Sequence, residues 1–230
     1  IYLGNHDMSR MTSRFGSDHP AFRDYSAKML HTFLLSMRGT PYIYNGDEIG
    51  MTNSNHLNIE AYRDVYTINY YQQLKERGQD YKGFLESHAH ISRDNGRTPM
   101  QWDDSAFAGF SNTTPWLSVN ENYRQINIAK QEQDPDSVLH YFRKMIGLRK
   151  AHLALVYGRF DLVDEDNPQL FAYTRMLGDE SYLVVLNFSD RTAILDADVD
   201  TERSQILIGN YDTNHLNHSY RPYEAVIYKL

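Results

Sequence analysis

The sequence opens with Ile1-Tyr2-Leu3-Gly4-Asn5-His6-Asp7, an apolar stretch that runs directly into three polar side chains. This pattern predicts the carboxyl end of a buried parallel strand that leads into a loop. In an α/β barrel, the active site lies at that end of the strands. Because the chain starts inside a strand and without Met, we expect it to be a fragment that carries part of an active site.

A helix and a second strand follow. Apolar residues recur at helical spacing over residues 22–37, and Pro20 suits the first position of a helix. Gly39 and Pro41 predict its end. Residues 42–44 form a short apolar run that leads into a polar stretch, which predicts a second strand. Strand, helix and strand in this order are typical of a βα unit of a parallel sheet.

The middle of the chain is less regular. It contains two predicted helices, over residues 60–77 and 81–91, and a loop-rich stretch over residues 92–103. Long loops in a compact fold are usually functional. A third helix is predicted after Asp134-Pro135, and it ends in basic residues that are favourable at a helix carboxyl end.

From residue 155 onward, short alternating segments separated by turn residues predict β-strands. These segments are residues 160–163, 170–174, 182–188, 193–195, 205–208 and 225–228. Their spacing is typical of an antiparallel sandwich. We therefore predict two domains, an α/β domain with βα units of a parallel sheet over residues 1–154 and an all-β sandwich over residues 155–230.

The composition excludes several classes of protein. The formal net charge of −7 argues against a nucleic-acid partner, because phosphate binding needs clustered Lys and Arg. No apolar run approaches the roughly 20 residues that a membrane helix requires. The absence of Cys excludes disulfides and thiolate catalysis, and it fits the reducing cytoplasm, where we expect the protein to be located.

The polar residues of the opening stretch allow two interpretations. A carboxylate beside an imidazole can bind vicinal hydroxyls and stabilise positive charge, which would make His6 and Asp7 functional. Alternatively, Asp7 caps the following turn and His6 is simply packed. Other histidines indicate no metal site, since His88 and His90 cannot share a helix face, and His215 and His218 lie between Asn residues in a predicted loop. We predict no metal and no cofactor.

Three stretches resemble the α-amylase family of glycoside hydrolases, and in particular its oligo-1,6-glucosidase and α-glucosidase branch. The first is Gly4-Asn5-His6-Asp7 followed by Ser13-Arg14-Phe15-Gly16, which resembles the family's barrel strand seven. Residues 39–53 resemble strand eight and its loop, and residues 92–103 are similar to a stretch specific to this branch. The resemblance continues through Trp116 into the sandwich and covers essentially the whole chain. It implies that residues 1–154 are the last βα units of a (β/α)8 TIM barrel.

The resemblance implies a retaining mechanism, in which one carboxylate attacks the anomeric carbon and another protonates the leaving oxygen. Asp7 matches a third carboxylate, which stabilises the transition state, and His6 matches a histidine that binds the same glucose. By resemblance, Arg93 binds the non-reducing end of that glucose and Arg97 lies nearer the next subsite. Guanidinium groups suit this role because they offer several fixed donors to hydroxyl groups.

A structural role is the alternative for both arginines. In that interpretation, Arg93 and Arg97 order their loop through salt bridges to Asp94 or Asp103.

The same resemblance places the nucleophile after strand four and the acid/base after strand five, which is before Ile1. No segment here resembles either, so we predict that the chain alone is inactive and that its truncated barrel self-associates. The parent would hydrolyse α-1,6 or α-1,4 bonds of small oligosaccharides. Alternatives are a sucrose isomerase or transglucosylase, a non-enzymatic ectodomain of a transporter-associated heavy subunit, and a carbohydrate-binding module.

Overall fold

The computed structural model describes residues 1–199, 201, 204–212 and 218–230, so His215 lies outside the described residues. The helices are α1 Met11–Phe15, α2 Arg23–Ser36, α3 Val65–Glu76, α4 Tyr81–Ala89, α5 Ile128–Gln133, α6 Val138–Ala151 and α7 Ala154–Tyr157. The strands are β1 Arg159–Val163, β2 Leu170–Leu177, β3 Glu180–Asn187, β4 Ala193–Ile194, β5 Gln205–Gly209, β6 Ser219–Tyr220 and β7 Ala225–Lys229.

The chain forms two compact units that interleave in sequence. The sheet unit comprises residues 1, 19–42 and 140–230, and the loop unit comprises residues 2–18 and 43–139. The predicted domain boundary after residue 154 stays a prediction. Among the described residues, no helix is long and apolar enough to cross a membrane.

The sheet unit contains a five-stranded antiparallel sheet in the order β1-β2-β3-β7-β5 and a two-stranded sheet of β4 and β6. All six strands predicted from alternation are present, with ends shifted by at most three residues. The seventh strand, β6, was not predicted because two residues are too few to show alternation. The register between β5 and β7 shifts between Ile206 and Ile208, as at a β-bulge.

Alternation along the strands divides the core of this unit into two faces. On one face, Leu183 and Val185 of β3 pack with Tyr220 and Val226. On the other, β3 and β7 contact α2, and the hydroxyls of Ser36 and Tyr173 lie 2.6 Å apart. Because β3 is covered on both faces, its residues from 182 to 187 are all buried, as an interior strand requires.

The prediction of strands at residues 1–3 and 42–44 was wrong, because neither segment forms a strand. The amino group of Ile1 donates to the Thr40 carbonyl at 2.8 Å, and the Tyr42 amide donates to the Ile1 carbonyl at 2.9 Å. Around these contacts only single bridge positions occur, at Tyr2 and at Tyr42. Pairing is therefore limited to isolated positions.

Helix starts also differ from those predicted. Pro20 lies in a turn and α2 begins at Arg23, where the Arg23 amide donates to the His19 carbonyl at 2.9 Å. Helix α3 begins at Val65 rather than residue 60, because Asp64 caps it by accepting a hydrogen bond from the Thr67 amide at 3.2 Å. Helix α6 begins three residues after Pro135, and the short helices α1, α5 and α7 were not predicted.

Candidate active site

Asp7 lies in the loop that follows Gly4, and Asn5 determines the shape of this loop. The Asn5 side chain accepts a hydrogen bond from the Asp7 amide at 2.8 Å, which is an Asx turn. The Asp7 side chain is 54% exposed, and His6 Nε2 lies 3.3 Å from Asp7 Oδ2. The residue that caps this turn is therefore Asn5, and the carboxylate of Asp7 faces solvent beside an exposed imidazole.

Two arginines from a distant part of the sequence converge on Asp7. Arg93 Nη1 lies 3.3 Å from Asp7 Oδ1, and Arg97 Nη2 donates to the same oxygen at 2.9 Å. Arg97 Nε also donates to the His6 carbonyl at 2.8 Å. The four residues selected from the sequence thus meet in one cluster within the loop unit.

The arginines lie on a 3₁₀ segment, Arg93–Arg97, whose first turn is capped by the Ser92 side chain. Gly96 brings this segment against the loop of Asp7. A Cβ at residue 96 would lie 2.4 Å from the Met8 carbonyl oxygen and 3.0 Å from that of Asn5. Only glycine permits this approach, so Gly96 determines the distance between Arg97 and Asp7.

A buried carboxylate that the sequence analysis did not select, Asp64, holds Arg93. Asp64 Oδ1 accepts from Arg93 Nε at 2.8 Å and also from Nη2. Burial raises the pKa of Asp64, but hydrogen bonds from Arg93 and Thr67 outweigh it and lower its pKa overall. The hydrogen bonds and charge of Asp64, with the charge of Asp7, raise the pKa of Arg93. The Arg93 guanidinium is therefore bonded to two carboxylates.

Asp94 supports the neighbouring backbone. Its Oδ2 accepts hydrogen bonds from the amides of Arg63 and Asp64, at 2.7 and 2.8 Å, and its Oδ1 lies 3.7 Å from Arg97 Nη1. The salt bridge to Asp94 that the structural alternative predicted for Arg97 is thus present, together with the contact of Arg97 to Asp7. Asp103 instead accepts hydrogen bonds from Ser105.

A buried arginine joins the loops beneath the cluster. Arg10 Nη1 donates to the Asn45 carbonyl at 2.6 Å, Nε to the Asn95 carbonyl at 3.1 Å and Nη2 to the Thr98 carbonyl at 3.2 Å. Burial lowers the pKa of Arg10, and the charge of Asp47 opposes this effect. One guanidinium therefore connects the segment of Asn45 with the stretch from Asn95 to Thr98, which includes part of the Arg93–Arg97 segment.

No group of three or more His, Cys, Asp or Glu that could hold a metal occurs among the described residues. His88 instead contacts a hydroxyl, with its Nε2 at 2.8 Å from Thr67 Oγ1.

Comparison with known proteins gives consistent matches along the chain. The family model described as "Alpha amylase, catalytic domain" matches residues 1–158, and the one described as "Maltogenic Amylase, C-terminal domain" matches residues 160–224. The oligo-1,6-glucosidases of Parageobacillus thermoglucosidasius and Bacillus cereus are 48% and 46% identical to the chain. Both matches cover 100% of this chain and 42% of the relative, so the chain spans about two fifths of their length.

Solved structures confirm the fold class. The trehalose-6-phosphate hydrolase of Bacillus licheniformis matches with a TM-score of 0.92 and 39% identity, over 100% of this chain and 42% of that one. An isomaltulose synthase variant from Erwinia rhapontici NX5, in complex with D-glucose, matches with a TM-score of 0.91 and 40% identity, with the same coverage. The chain has the fold of the last part of a TIM-barrel catalytic domain followed by an antiparallel β domain.

Proposed function

Because this chain belongs to the α-amylase family of glycoside hydrolases, we propose that it is the C-terminal part of a retaining α-glucosidase. Its substrates would be small oligosaccharides with α-1,6 or α-1,4 glucosidic bonds. The observation that carries the proposal is the convergence of Arg93 and Arg97 on one oxygen of the exposed Asp7, beside His6.

This cluster suits a sugar with developing positive charge. The transition state of glycoside hydrolysis resembles an oxocarbenium ion, which the carboxylate of Asp7 would stabilise by its fixed negative charge. The imidazole of His6 and the guanidinium of Arg93 carry N–H groups that can donate to hydroxyls of the same glucose. Arg97, which is bonded to the loop of Asp7, would contact the next sugar.

The cluster by itself does not complete the reaction. A retaining mechanism needs a nucleophile and an acid/base roughly 5–5.5 Å apart. Within this cluster Asp64 is bonded to Arg93 and Asp94 to backbone amides, so neither is offered to a substrate. We therefore propose that both groups come from the rest of the longer protein and that this chain alone is inactive. Its expected self-association stays a prediction.

A sucrose isomerase or transglucosylase is the second candidate. The isomaltulose synthase and trehalulose synthase structures match the whole chain, with TM-scores between 0.89 and 0.91. The cluster around Asp7 favours either enzyme over a non-enzymatic ectodomain or a carbohydrate-binding module, neither of which needs two arginines on one carboxylate. A cytoplasmic location is also part of the proposal, supported by the lack of Cys.

The proposal is tested by assaying the full-length protein with isomaltose, maltose and sucrose. We expect release of α-configured glucose, observed by proton NMR before mutarotation. Asp7→Asn should lower kcat on the order of 10²-fold or more, with a smaller change in KM, because the charge acts mainly in the transition state. Asp179→Asn, at an exposed turn of the sheet unit, is the matched control and should be unchanged.

Other results would change or contradict the proposal. An effect of Asp7→Asn on KM alone would make Asp7 a simple binding residue. A rearranged disaccharide formed from sucrose would support the second candidate, and no turnover of any of the three sugars would contradict both.

A further inference from the structure

Asp64 holds one edge of the Arg93 guanidinium. Arg93 Nε donates to Asp64 Oδ1 at 2.8 Å and Nη2 donates to the same oxygen, while Nη1 points to Asp7 at 3.3 Å. The Asp64 side chain is only 3% exposed, whereas that of Arg93 is 39% exposed. We propose that Asp64 is a positioning residue that orients Arg93 towards Asp7 and towards the glucose bound there. The part of this inference that concerns glucose rests on the proposed function.

Asp64 is itself held by several partners. Its Oδ2 accepts from the Thr67 amide at 3.2 Å and from Thr67 Oγ1 at 2.7 Å, and its own amide donates to Asp94 Oδ2 at 2.8 Å. Both carboxylate oxygens are thus in use, and the residue lies at the first turn of α3. A carboxylate held in this way provides a rigid base for the arginine.

The chain of contacts extends one residue further. The single hydroxyl proton of Thr67 is given to Asp64, so His88 Nε2, at 2.8 Å, must donate to Thr67 Oγ1. Burial lowers the pKa of His88, against the charges of Asp64 and Asp94, which favours a neutral ring, and the hydrogen bond to Thr67 places its proton on Nε2. His88 therefore orients the Thr67 hydroxyl, which in turn orients Asp64.

Positioning matters here because arginine loses much conformational freedom when it is ordered. If Asp64 orders Arg93 before substrate binds, the entropy cost of ordering the side chain is not incurred on binding. It therefore does not weaken the binding of the glucose or of its transition state. A displacement of about 1 Å in such a group can cost about 10²-fold in rate. We expect Asp64→Asn in the full-length protein to lower kcat/KM roughly 10- to 100-fold.

A double-mutant cycle separates positioning from general stability. If Asp64 acts through Arg93, then Asp64→Asn should add little to the loss caused by Arg93→Ala, less than about threefold. An equal loss in both backgrounds would overturn the proposal.

A second pair of variants, Thr67→Val and Thr67→Ser, tests whether the Thr67 hydroxyl holds Asp64 in place. Valine removes the hydroxyl and should lower kcat/KM. Serine retains the hydroxyl and should keep kcat/KM near the wild-type value.

Because Asp64 also caps α3, Asp64→Ser provides a variant that keeps a good helix cap while it removes the partner of Arg93. Crystal structures of the full-length wild-type protein and of this variant test the inference without any assay. We expect the Arg93 guanidinium to move away from Asp7, and an unmoved Arg93 would overturn the proposal. If the wild-type protein turned over no α-glucoside, the proposed function would fail, but this comparison would still decide the role of Asp64.

Discussion

The sheet unit and the loop unit are stabilised in different ways. In the sheet unit, backbone ladders join the strands, and an apolar core includes Leu183, Val185 and Val226. The loop unit has a smaller apolar cluster around Met51 and no strand among its described residues. Polar side chains join its loops to backbone groups far away in sequence, as Gln131 does when its Nε2 donates to the Ile49 carbonyl at 2.9 Å. Arg10 makes several contacts of the same kind. The sheet unit has such contacts too, since Arg149 donates to the Leu35 and Met37 carbonyls. The candidate site, however, lies in the unit that has no strands among its described residues and whose loops such contacts join.

The largest expected effect on stability is in the sheet unit. Leu183 is fully buried, so Leu183→Ala should cost about 2–5 kcal/mol of unfolding free energy. Ile194, which is 67% exposed on β4, is the matched control, and Ile194→Ala should cost less than about 0.5 kcal/mol. Chemical denaturation of the full-length protein measures both values.

The comparison between the units also predicts what Leu183→Ala leaves unchanged. At a temperature where the variant is folded, kcat/KM should equal that of the wild type, because the residues around Asp7 all belong to the loop unit. A specific loss of activity in the folded variant would contradict this expectation and show that the two units are energetically coupled.

A smaller effect on stability, joined to an effect on activity, is expected in the loop unit. Gly96→Ala places a Cβ 2.4 Å from the Met8 carbonyl oxygen. Because the Cβ would clash with a backbone atom, the segments of Gly96 and Met8 must move apart. This should lower the free energy of unfolding by about 1–3 kcal/mol. Arg97 should then lose its contact with Asp7, and kcat/KM should fall roughly 10-fold or more.

Gly147 provides the matched control. It lies in α6, where nothing is within 4 Å of an added Cβ. Gly147→Ala should therefore leave activity unchanged and raise stability by about 0.5–1 kcal/mol, since alanine loses less backbone entropy in a helix. If Gly96→Ala behaved in the same way, the close approach of the two segments would not be required for the site.

The two units also differ in how well they could be predicted. Alternation along the chain predicts buried sheets well, and within the part of the chain that the structure describes it located every strand except the two-residue β6. Apolar triplets at residues 1–3 and 42–44 gave the same local pattern without forming strands, because strand formation depends on partners that a local pattern does not show. His6 and Asp7 were candidates from the opening stretch itself, whereas Arg93 and Arg97 were found only through a family resemblance.

Asp64 could not be recognised from the sequence because its local context is ordinary. An Asp before a helix is a typical N-cap, and Asp80 has the same context, accepting from the Gly83 amide at 2.8 Å. Only the structure shows that Asp64 also binds Arg93, 29 residues later. Contacts of this kind join positions far apart in sequence, so neither periodicity nor turn chemistry predicts them.

One further effect in the loop unit appears only when pH is varied. Burial raises the pKa of Asp47 from 3.8 to about 6, although the charge of Arg10 opposes the shift. Between these pH values the folded protein retains a proton that the unfolded chain releases. The free energy of unfolding must therefore decrease as pH rises from about 4 to about 6, and then stay constant with respect to this group. Asp47→Asn should remove that part of the pH dependence.

Chemical denaturation of the full-length wild type and Asp47→Asn at pH 4, 5, 6 and 7 measures the difference. The Asp47 side chain accepts a hydrogen bond from the Tyr44 amide at 3.2 Å, and an asparagine oxygen can accept it too. The difference in free energy of unfolding between Asp47→Asn and the wild type should shift in favour of the variant by on the order of 1–3 kcal/mol between pH 4 and pH 7. If the two proteins changed in parallel with pH, Asp47 would be ionised at little cost, and its burial beside Gly4 would be fully compensated by Arg10.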